Sequence, residues 1–286
     1  MAISYAHRLG QIIGDSLENA VEPFLRKFAN EHCLYFDKKE YRPARSGTKL
    51  TWIDINDNKH DLDFVLEKEG TLEKIGVPVA FIECAWRRYT KHSRNKAQEI
   101  QGAILPLFDK YKKNNPFIGV ILAGEFTENS LMQLKSLGFS VLYFSYEKVI
   151  NAFHVSGIDI RFKEDTEEKF FAKQVKLWEK LSKSQKEKIY KAIVKQNLLE
   201  IDLFTTVLTM KIARKIVKIR IWVMFGKEYI FNTIEEAKEF IVDAKIDKTS
   251  ASFREYEIEI EYSNNDTIKC KYRNQNDMLS FLSSFI

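Results

Sequence analysis

Cysteine, proline and glycine are all scarce in this 286-residue chain, and each shortage excludes something. The three cysteines, Cys33, Cys84 and Cys270, are far apart, odd in number and without metal-ligand spacing. They read as reduced thiols, not as a disulfide framework or a zinc site. Five prolines and 11 glycines in a chain that is 30% charged and 45% hydrophobic argue against disorder and for a real core. Long hydrophobic runs are also missing. No uncharged apolar stretch approaches the ~18 residues of a membrane span, and His7, Arg8 and Asp15 stand where the apolar core of a secretory signal would lie. The expectation is a soluble, cytoplasmic protein with no membrane partner. Neither sign of charge dominates: 45 basic against 40 acidic residues leave +5, which permits a polyanionic partner without requiring one.

What is present is pattern. From Arg8 to Asn30 the residues Leu9, Ile12, Ile13, Leu17, Val21, Phe24, Leu25 and Phe28 fall three and four apart, the mark of an amphipathic helix. Cys33 to Phe36 reads as a strand. Lys49 to Ile55 and Asp61 to Leu66 read as a hairpin around Asn56-Asp57-Asn58. A polar loop leads to a buried strand over 78–86, and Ser93 is positioned to cap a helix whose apolar face runs from Ala97 to Tyr111. Pro116 to Ala123 and Ser140 to Phe144 are further strands, with a helix between them closed by Gly138. The first ~150 residues therefore predict an α/β domain with a mixed sheet.

Beyond it, 161–211 reads as a helical, lysine-rich connecting region, whose Lys/Glu alternation fits a solvated face more readily than a DNA-binding one. The segment 212–286 contains a gapless internal repeat. Val217, Ile219, Ile221, Phe231, Ala237, Phe240 and Ile241 recur 41 residues on as Ile258, Ile260, Tyr262, Tyr272, Met278, Phe281 and Leu282. Each copy alternates as a strand, turns near Gly226-Lys227 or Asn264-Asn265-Asp266, returns as a strand and ends in a helix. The pair predicts a small duplicated α+β domain, ββα-ββα, with a four-stranded antiparallel sheet. It carries no evident chemistry.

Chemistry concentrates between residues 60 and 100. Asp61 and Asp63, two apart on one strand, would point to one face, with Leu62 and Phe64 on the other. Glu83 follows four apolar strand residues, where an unpaired carboxylate is costly to bury. If the two strands pair, Asp63 and Glu83 can hold one hard divalent ion, and Mg²⁺ fits because it takes oxygen ligands and keeps waters. Such an ion lowers the pKa of a bound water and polarises a phosphate, and a lysine nearby would offset charge developing at phosphorus. After the strand comes a dense basic cluster, Arg87, Arg88, Lys91, Arg94 and Lys96. Of these, Arg87, Arg88, Lys91 and Arg94 suit the phosphates of duplex DNA. A structural ion pair between Glu83 and Arg87 or Arg88 is the competing expectation. Trp86 and Tyr89 suit either base stacking or core packing, and His60 and His92 are at most helpers.

The order of elements and the acids, over residues ~5 to 150, resemble the PD-(D/E)xK nuclease superfamily, which includes type II restriction endonucleases, junction resolvases and repair nucleases. Gly14 with Glu18 looks like that superfamily's opening-helix pattern. His60-Asp-Leu-Asp-Phe-Val-Leu66 looks like its first acidic strand, with Asp63 at the motif aspartate, and Phe81-Ile-Glu83 like its second acid. The motif lysine should stand at Ala85, so it is displaced. Some members supply it from the following helix, which makes Lys96, or else Lys91, the candidate. The resemblance implies a restriction-endonuclease-like fold over 1–160 and a Mg²⁺-dependent DNA endonuclease, of restriction or other defence type. Asp63 and Glu83 would be metal ligands, Glu18 and Asp61 accessory acids, and a homodimer would supply two cutting sites. The region 212–286 would recognise DNA or dimerise. Ala85 leaves open a DNA-binding module that has lost cleavage, and a repair or junction-resolving nuclease shares the same site.

Overall fold

The computed structural model describes residues 4–223, 228–243 and 255–285. They form two compact units, Met1–Leu208 and Thr209–Ile286. The first opens with α1 (Tyr5–Glu31), started by the Ser4 hydroxyl, which accepts from the His7 N–H. Its ten buried side chains, from Leu9 to Ala29, hold it helical through Pro23, where one ladder bond is lost. Strands β1 (Leu34–Lys38), β2 (Thr51–Ile53), β3 (Lys59–Asp61), β4 (Phe64–Lys68) and β5 (Val77–Arg87) follow. Then come α2 (Ser93–Lys110), β6 (Phe117–Gly124), α3 (Glu128–Ser136), β7 (Ser140–Ser145) and α4 (Tyr146–His154).

Five strands make one mixed sheet in the order β1-β4-β5-β6-β7. β1, β4 and β5 pair antiparallel, while β5, β6 and β7 pair parallel, as helical crossovers through α2 and α3 require. β6 is buried along its whole length. One face carries Val65, Phe81, Ala85, Val120 and Leu122 against Ala97, Ile100, Ile104 and Leu107 of α2; the other faces α1. The first unit is thus α/β, a mixed sheet flanked by helices.

The helices over 161–211 do not stand apart as a connecting region. α5 (Glu168–Lys180) and α6 (Lys183–Lys195) pack on α1, and α6 also packs on α4. α7 (Leu198–Ile212) sets Phe204 edge-on against Phe117 at 5.4 Å. Their apolar faces (Phe171, Val175, Trp178, Ile189, Ile193) are buried in this way, so the residues up to Leu208 complete the first unit.

The expected hairpin is divided. β2 and β3 pair as a separate two-stranded sheet, with Asp57 left-handed at the turn, while β4 joins the main sheet. The strand alternation breaks between them. Leu62 packs in the same cluster as Val65, whereas Phe64 faces the other way onto Phe36 at 5.5 Å. The break lies at Asp63, which belongs to neither strand.

A buried charge network ties the loops to this sheet. Arg42 is 0% exposed and donates to Asp37 at 2.6 Å, to both Glu67 oxygens at 2.7 and 3.0 Å, and to the carbonyls of Thr71 and Lys74. Its guanidinium also lies over the Tyr35 ring at 4.0 Å. Sequence reading missed this network.

The second unit contains β8 (Ile216–Val223), β9 (Glu228–Phe231), α8 (Ile234–Asp243), β10 (Tyr256–Tyr262), β11 (Thr267–Tyr272) and α9 (Gln275–Ser283). Its antiparallel sheet has the order β11-β10-β8-β9. Ile219 and Ile260, equivalent positions of the repeat, are direct cross-strand partners. The two ββα copies are therefore related by a pseudo-twofold axis through that pair. Ile219, Ile221, Ile258 and Ile260 bury one sheet face under Ala237, Ile241, Met278 and Leu282 of the helices. Asn265 is left-handed in the second hairpin turn, and the Gly226-Lys227 turn lies outside the described residues. Among the described residues no helix is long and apolar enough to cross a membrane.

Candidate active site

The register builds the site. Lys38 pairs with Phe64, and Phe64 with Ile82; one step further, Asp63 stands opposite Glu83, where β4 begins and β5 nears its end. Two hydrogen bonds fix the pair. The Asp63 N–H donates to Glu83 Oε1 at 3.3 Å, and Asp63 Oδ2 accepts from the Cys84 N–H at 2.7 Å. These bonds explain the break in alternation at Asp63, whose backbone and carboxylate are both engaged by β5. Among the described residues, Asp63 Oδ1 and Glu83 Oε2 accept no hydrogen bond, so each acid keeps one oxygen for another partner. Glu83 shares its sheet face with Phe81 and Ala85, the face covered by α2.

The electrostatics show a site short of positive charge. Burial, then the neighbouring Asp63, pushes the Glu83 carboxyl up to about 8, against the opposing pull of Lys96 and the Asp63 N–H. Glu18, reaching in from α1, is raised to about 7 by burial, by Asp63 and by Asp15, with Lys39 and Lys38 opposing. Burial also raises Asp63, against the Cys84 N–H bond and the charges of Lys96 and Lys39. Three carboxyl groups thus sense one another at the end of buried strands. Burial followed by the same three acids raises the Cys84 thiol.

Two carboxylates with free oxygens, poorly compensated, fit a hard divalent cation, whose charge would relieve their repulsion. Mg²⁺ suits such a pair because it is held by one or two carboxylates and keeps most of its waters. Among the described residues no group of three or more His, Cys, Asp or Glu is arranged to hold an ion, so a fit rests on Asp63 and Glu83, with Glu18 outside the ligand set.

Asp61 is not part of the site. It closes β3, is exposed, and bonds Lys49 and Thr51. The flip at Asp63 separates the two aspartates that simple alternation would have put on one face. The lysines also separate. Lys91 is paired with Glu164 at 2.5 Å. Lys96, on the first turn of α2, acts on both acids while pairing with Glu99 at 3.3 Å. Ala85, the motif position, is 6% exposed inside the apolar cluster under α2.

The basic cluster divides in the same way. Neither Arg87 nor Arg88 pairs with Glu83: Arg87 faces Glu99 at 3.6 Å. Arg88 donates to the Phe162 carbonyl at 2.7 Å and lies over the Tyr146 ring at 4.1 Å. That position is structural and corrects its expected role as a phosphate contact. Arg94 is exposed and, among the described residues, has no ion pair. Trp86 is buried against Tyr146 and is not presented for base stacking, whereas Tyr89 packs edge-on to Phe162 and stays partly exposed. His60 bonds Asp54 at 2.8 Å and braces the β2–β3 turn. Ser93 does not cap α2 but is its first residue, following a 3₁₀ turn over Thr90–His92, and its hydroxyl donates to Thr90 O at 2.7 Å.

A groove of about 830 Å³ lies elsewhere in this unit, between α1 and α6, lined by Phe24, Tyr190, Val194 and lysines of α6. None of the site acids lines it.

No protein-family profile matches the sequence, and no curated protein sequence matches it. A solved structure titled "Crystal Structure of Protein of Unknown Function AF1548" is similar over 65% of this chain and 99% of its own. The identity is 12% and the TM-score 0.30. A likeness of that strength carries no argument about fold or function.

Proposed function

We propose that this chain is a Mg²⁺-dependent DNA endonuclease of the PD-(D/E)xK type, with a restriction-endonuclease-like first unit. The observation that supports it is the mutual approach of Asp63 and Glu83 across β4 and β5, with Lys96 acting electrostatically on both although the motif position is Ala85. Asp63 and Glu83 would hold the ion. When bound, the ion supplies Lewis-acid polarisation of a phosphate and a water of lowered pKa.

The chain's own residues do the rest. The Cys84 N–H fixes one oxygen of Asp63, and among the described residues the other accepts no hydrogen bond. Lys96 stabilises negative charge developing on the phosphoryl oxygens and orients the attacking water. Glu18, raised to about 7, is near the pH at which a carboxyl can accept and return a proton. Exposed Arg94 and half-exposed Arg87 would contact the backbone of the duplex. The substrate is duplex DNA, cut in a restriction or defence setting, and a homodimer would bring two such sites to the two strands. The second unit would then recognise DNA or dimerise.

The test is incubation with supercoiled plasmid and Mg²⁺. The expected outcome is nicking or linearisation that Asp63→Ala and Glu83→Ala each abolish while circular dichroism stays native. Undiminished cutting by either variant sinks the assignment.

A further inference from the structure

We propose that Lys39 is a phosphate-positioning residue of this site, a second cation placed on the opposite side of Asp63 from Glu83 and Lys96. The inference rests on the nuclease reading above and extends it to how the substrate backbone is gripped.

Three observations carry it. The first is register. The pairing of Lys38 with Phe64 and of Phe64 with Ile82, continued by one residue, sets Lys39 just past β1, Asp63 just before β4 and Glu83 within β5 in one row. Neighbouring strands lie ~4.8 Å apart, so the row spans about 10 Å of backbone. The second is position. Lys38 is the last residue of β1 and is tied to Glu22 of α1 at 2.8 Å, and Lys39 lies in the bend immediately past it, beside the bend at Asp63 that precedes β4. The third is availability. Lys39 is exposed and, among the described residues, has no ion pair or hydrogen bond, whereas Lys38, Lys49, Lys91 and Lys96 are all engaged.

The charge pattern agrees. Lys39 acts on Glu18, Asp61 and Asp63, and Lys96 on Asp63 and Glu83, so both cations bear on Asp63. A phosphate seated over Asp63 and Glu83 meets Lys96 on one side, and the adjoining stretch of the strand meets Lys39 on the other. A lysine serves there because it is a flexible point charge that needs no fixed geometry.

The experiment measures binding, so it does not depend on turnover. A fluorescein-labelled short duplex is titrated, in Ca²⁺ and over a range of salt, with the full chain and its Lys39→Ala, Lys39→Arg, Lys112→Ala and Asp63→Ala variants. Losing one phosphate contact lowers the slope of log K against log salt by about 0.9, which at about 0.1 M salt is a roughly eightfold loss. That loss is expected for Lys39→Ala. Lys39→Arg should restore binding, the surface control Lys112→Ala should bind normally, and thermal melting should be unchanged in all three.

Unchanged affinity and slope in Lys39→Ala overturn the proposal, as does a wild-type chain that does not bind the duplex. A loss that Lys39→Arg does not restore, or that comes with a lowered melting temperature, assigns Lys39 a structural role and also overturns it. The two readings separate on plasmid cutting. If Asp63→Ala still cuts while Lys39→Ala binds weakly, the metal site falls and the phosphate contact stands. If Asp63→Ala is dead and Lys39→Ala binds normally, the reverse holds.

Discussion

Asp63 and Glu83 hold each other through backbone bonds while their charges repel. Asp63 gives its N–H to Glu83 Oε1 at 3.3 Å and takes the Cys84 N–H on its own Oδ2 at 2.7 Å, yet burial raises the cost of ionising both acids and the Asp63 charge raises that of Glu83 further. The geometry is fixed and the charge is unsatisfied, a combination that costs stability.

The first expected consequence concerns stability without metal. Glu83 has a folded pKa of about 8 against an ordinary 4.5, so its contribution is most favourable below pH 4.5 and is lost as pH rises through 8. Glu83→Gln keeps the shape and cannot ionise. At pH 8.5 in EDTA it should melt higher than wild type, by about 2–4 °C for each kcal/mol of repulsion removed in a unit of this size, and the gain should vanish near pH 4. The same substitution should abolish Mg²⁺-dependent cutting. Scanning calorimetry at the two pH values checks the first part, and a lower melting temperature at pH 8.5 contradicts it.

Metal and protons should compete for the same oxygens. Glu83 and Glu18 release their protons around pH 8 and 7 in the metal-free chain, so Mg²⁺ binds the site more tightly above that range than below it. Millimolar Mg²⁺ should therefore raise the melting temperature more at pH 8.5 than at pH 6, through mass action on the folded state. Asp63→Ala should remove the difference. Equal shifts at both pH values, or a shift that survives Asp63→Ala, would locate the ion elsewhere.

How much of this was legible in the sequence depends on how local each feature is. Glu83 could be read because an acid after Phe81 and Ile82 is conspicuous, and Asp63 because apolar residues flank it. Helical spacing put Lys96 on the flank of the apolar face, and only the superfamily resemblance, with its lysine displaced to the following helix, made it a candidate for the site. The flip at Asp63 could not, because it is imposed by bonds to β5 twenty residues away, and alternation counted along one strand wrongly put Asp61 on the site face. Lys39 was invisible for a related reason: its place depends on the β1–β4 register. Arg42 lies in a polar loop that looks solvated, and only folding brings Asp37 and Glu67 to it. Arg88 was misread because its partners, Tyr146 and Phe162, are distant in sequence. In the second unit the 41-residue repeat was enough to anticipate the sheet, since both copies place the same apolar alternation on one face.

The two candidate lysines should behave differently. Lys96 acts on both acids, whereas Lys91 is paired with Glu164. Lys96→Ala should lower the cutting rate by about 10²–10³, as for loss of one charge-stabilising donor, with DNA affinity nearly retained. Lys91→Ala should cut almost normally. Single-turnover rates on a labelled duplex decide between them, and the opposite ranking would transfer the role to Lys91.

Among the arginines, exposure separates contact from scaffold. Arg94→Ala should weaken duplex binding and lower the salt slope by about 1 without changing stability. Arg88→Ala should leave the slope intact and lower the melting temperature, because it removes the hydrogen bond to Phe162 and the stacking on Tyr146. Anisotropy titrations paired with thermal melts test both at once.

The buried network makes the sharpest demand on the fold. Arg42 is enclosed with Asp37 and Glu67, both 2% exposed or less. Removing it would leave two carboxylates buried together, Asp37 keeping Arg45 at 2.8 Å and Glu67 keeping the Gly76 N–H at 2.7 Å. Breaking a buried pair from one side costs about 3–5 kcal/mol, so Arg42→Ala should lower the urea midpoint strongly. Arg42→Lys should recover little, because an ammonium cannot reach Asp37, both Glu67 oxygens and the Thr71 and Lys74 carbonyls together. β1 is anchored by this network at Asp37, two residues before Lys39. Weakened DNA binding in Arg42→Lys should therefore track its loss of stability, whereas in Lys39→Ala binding should fall with stability unchanged.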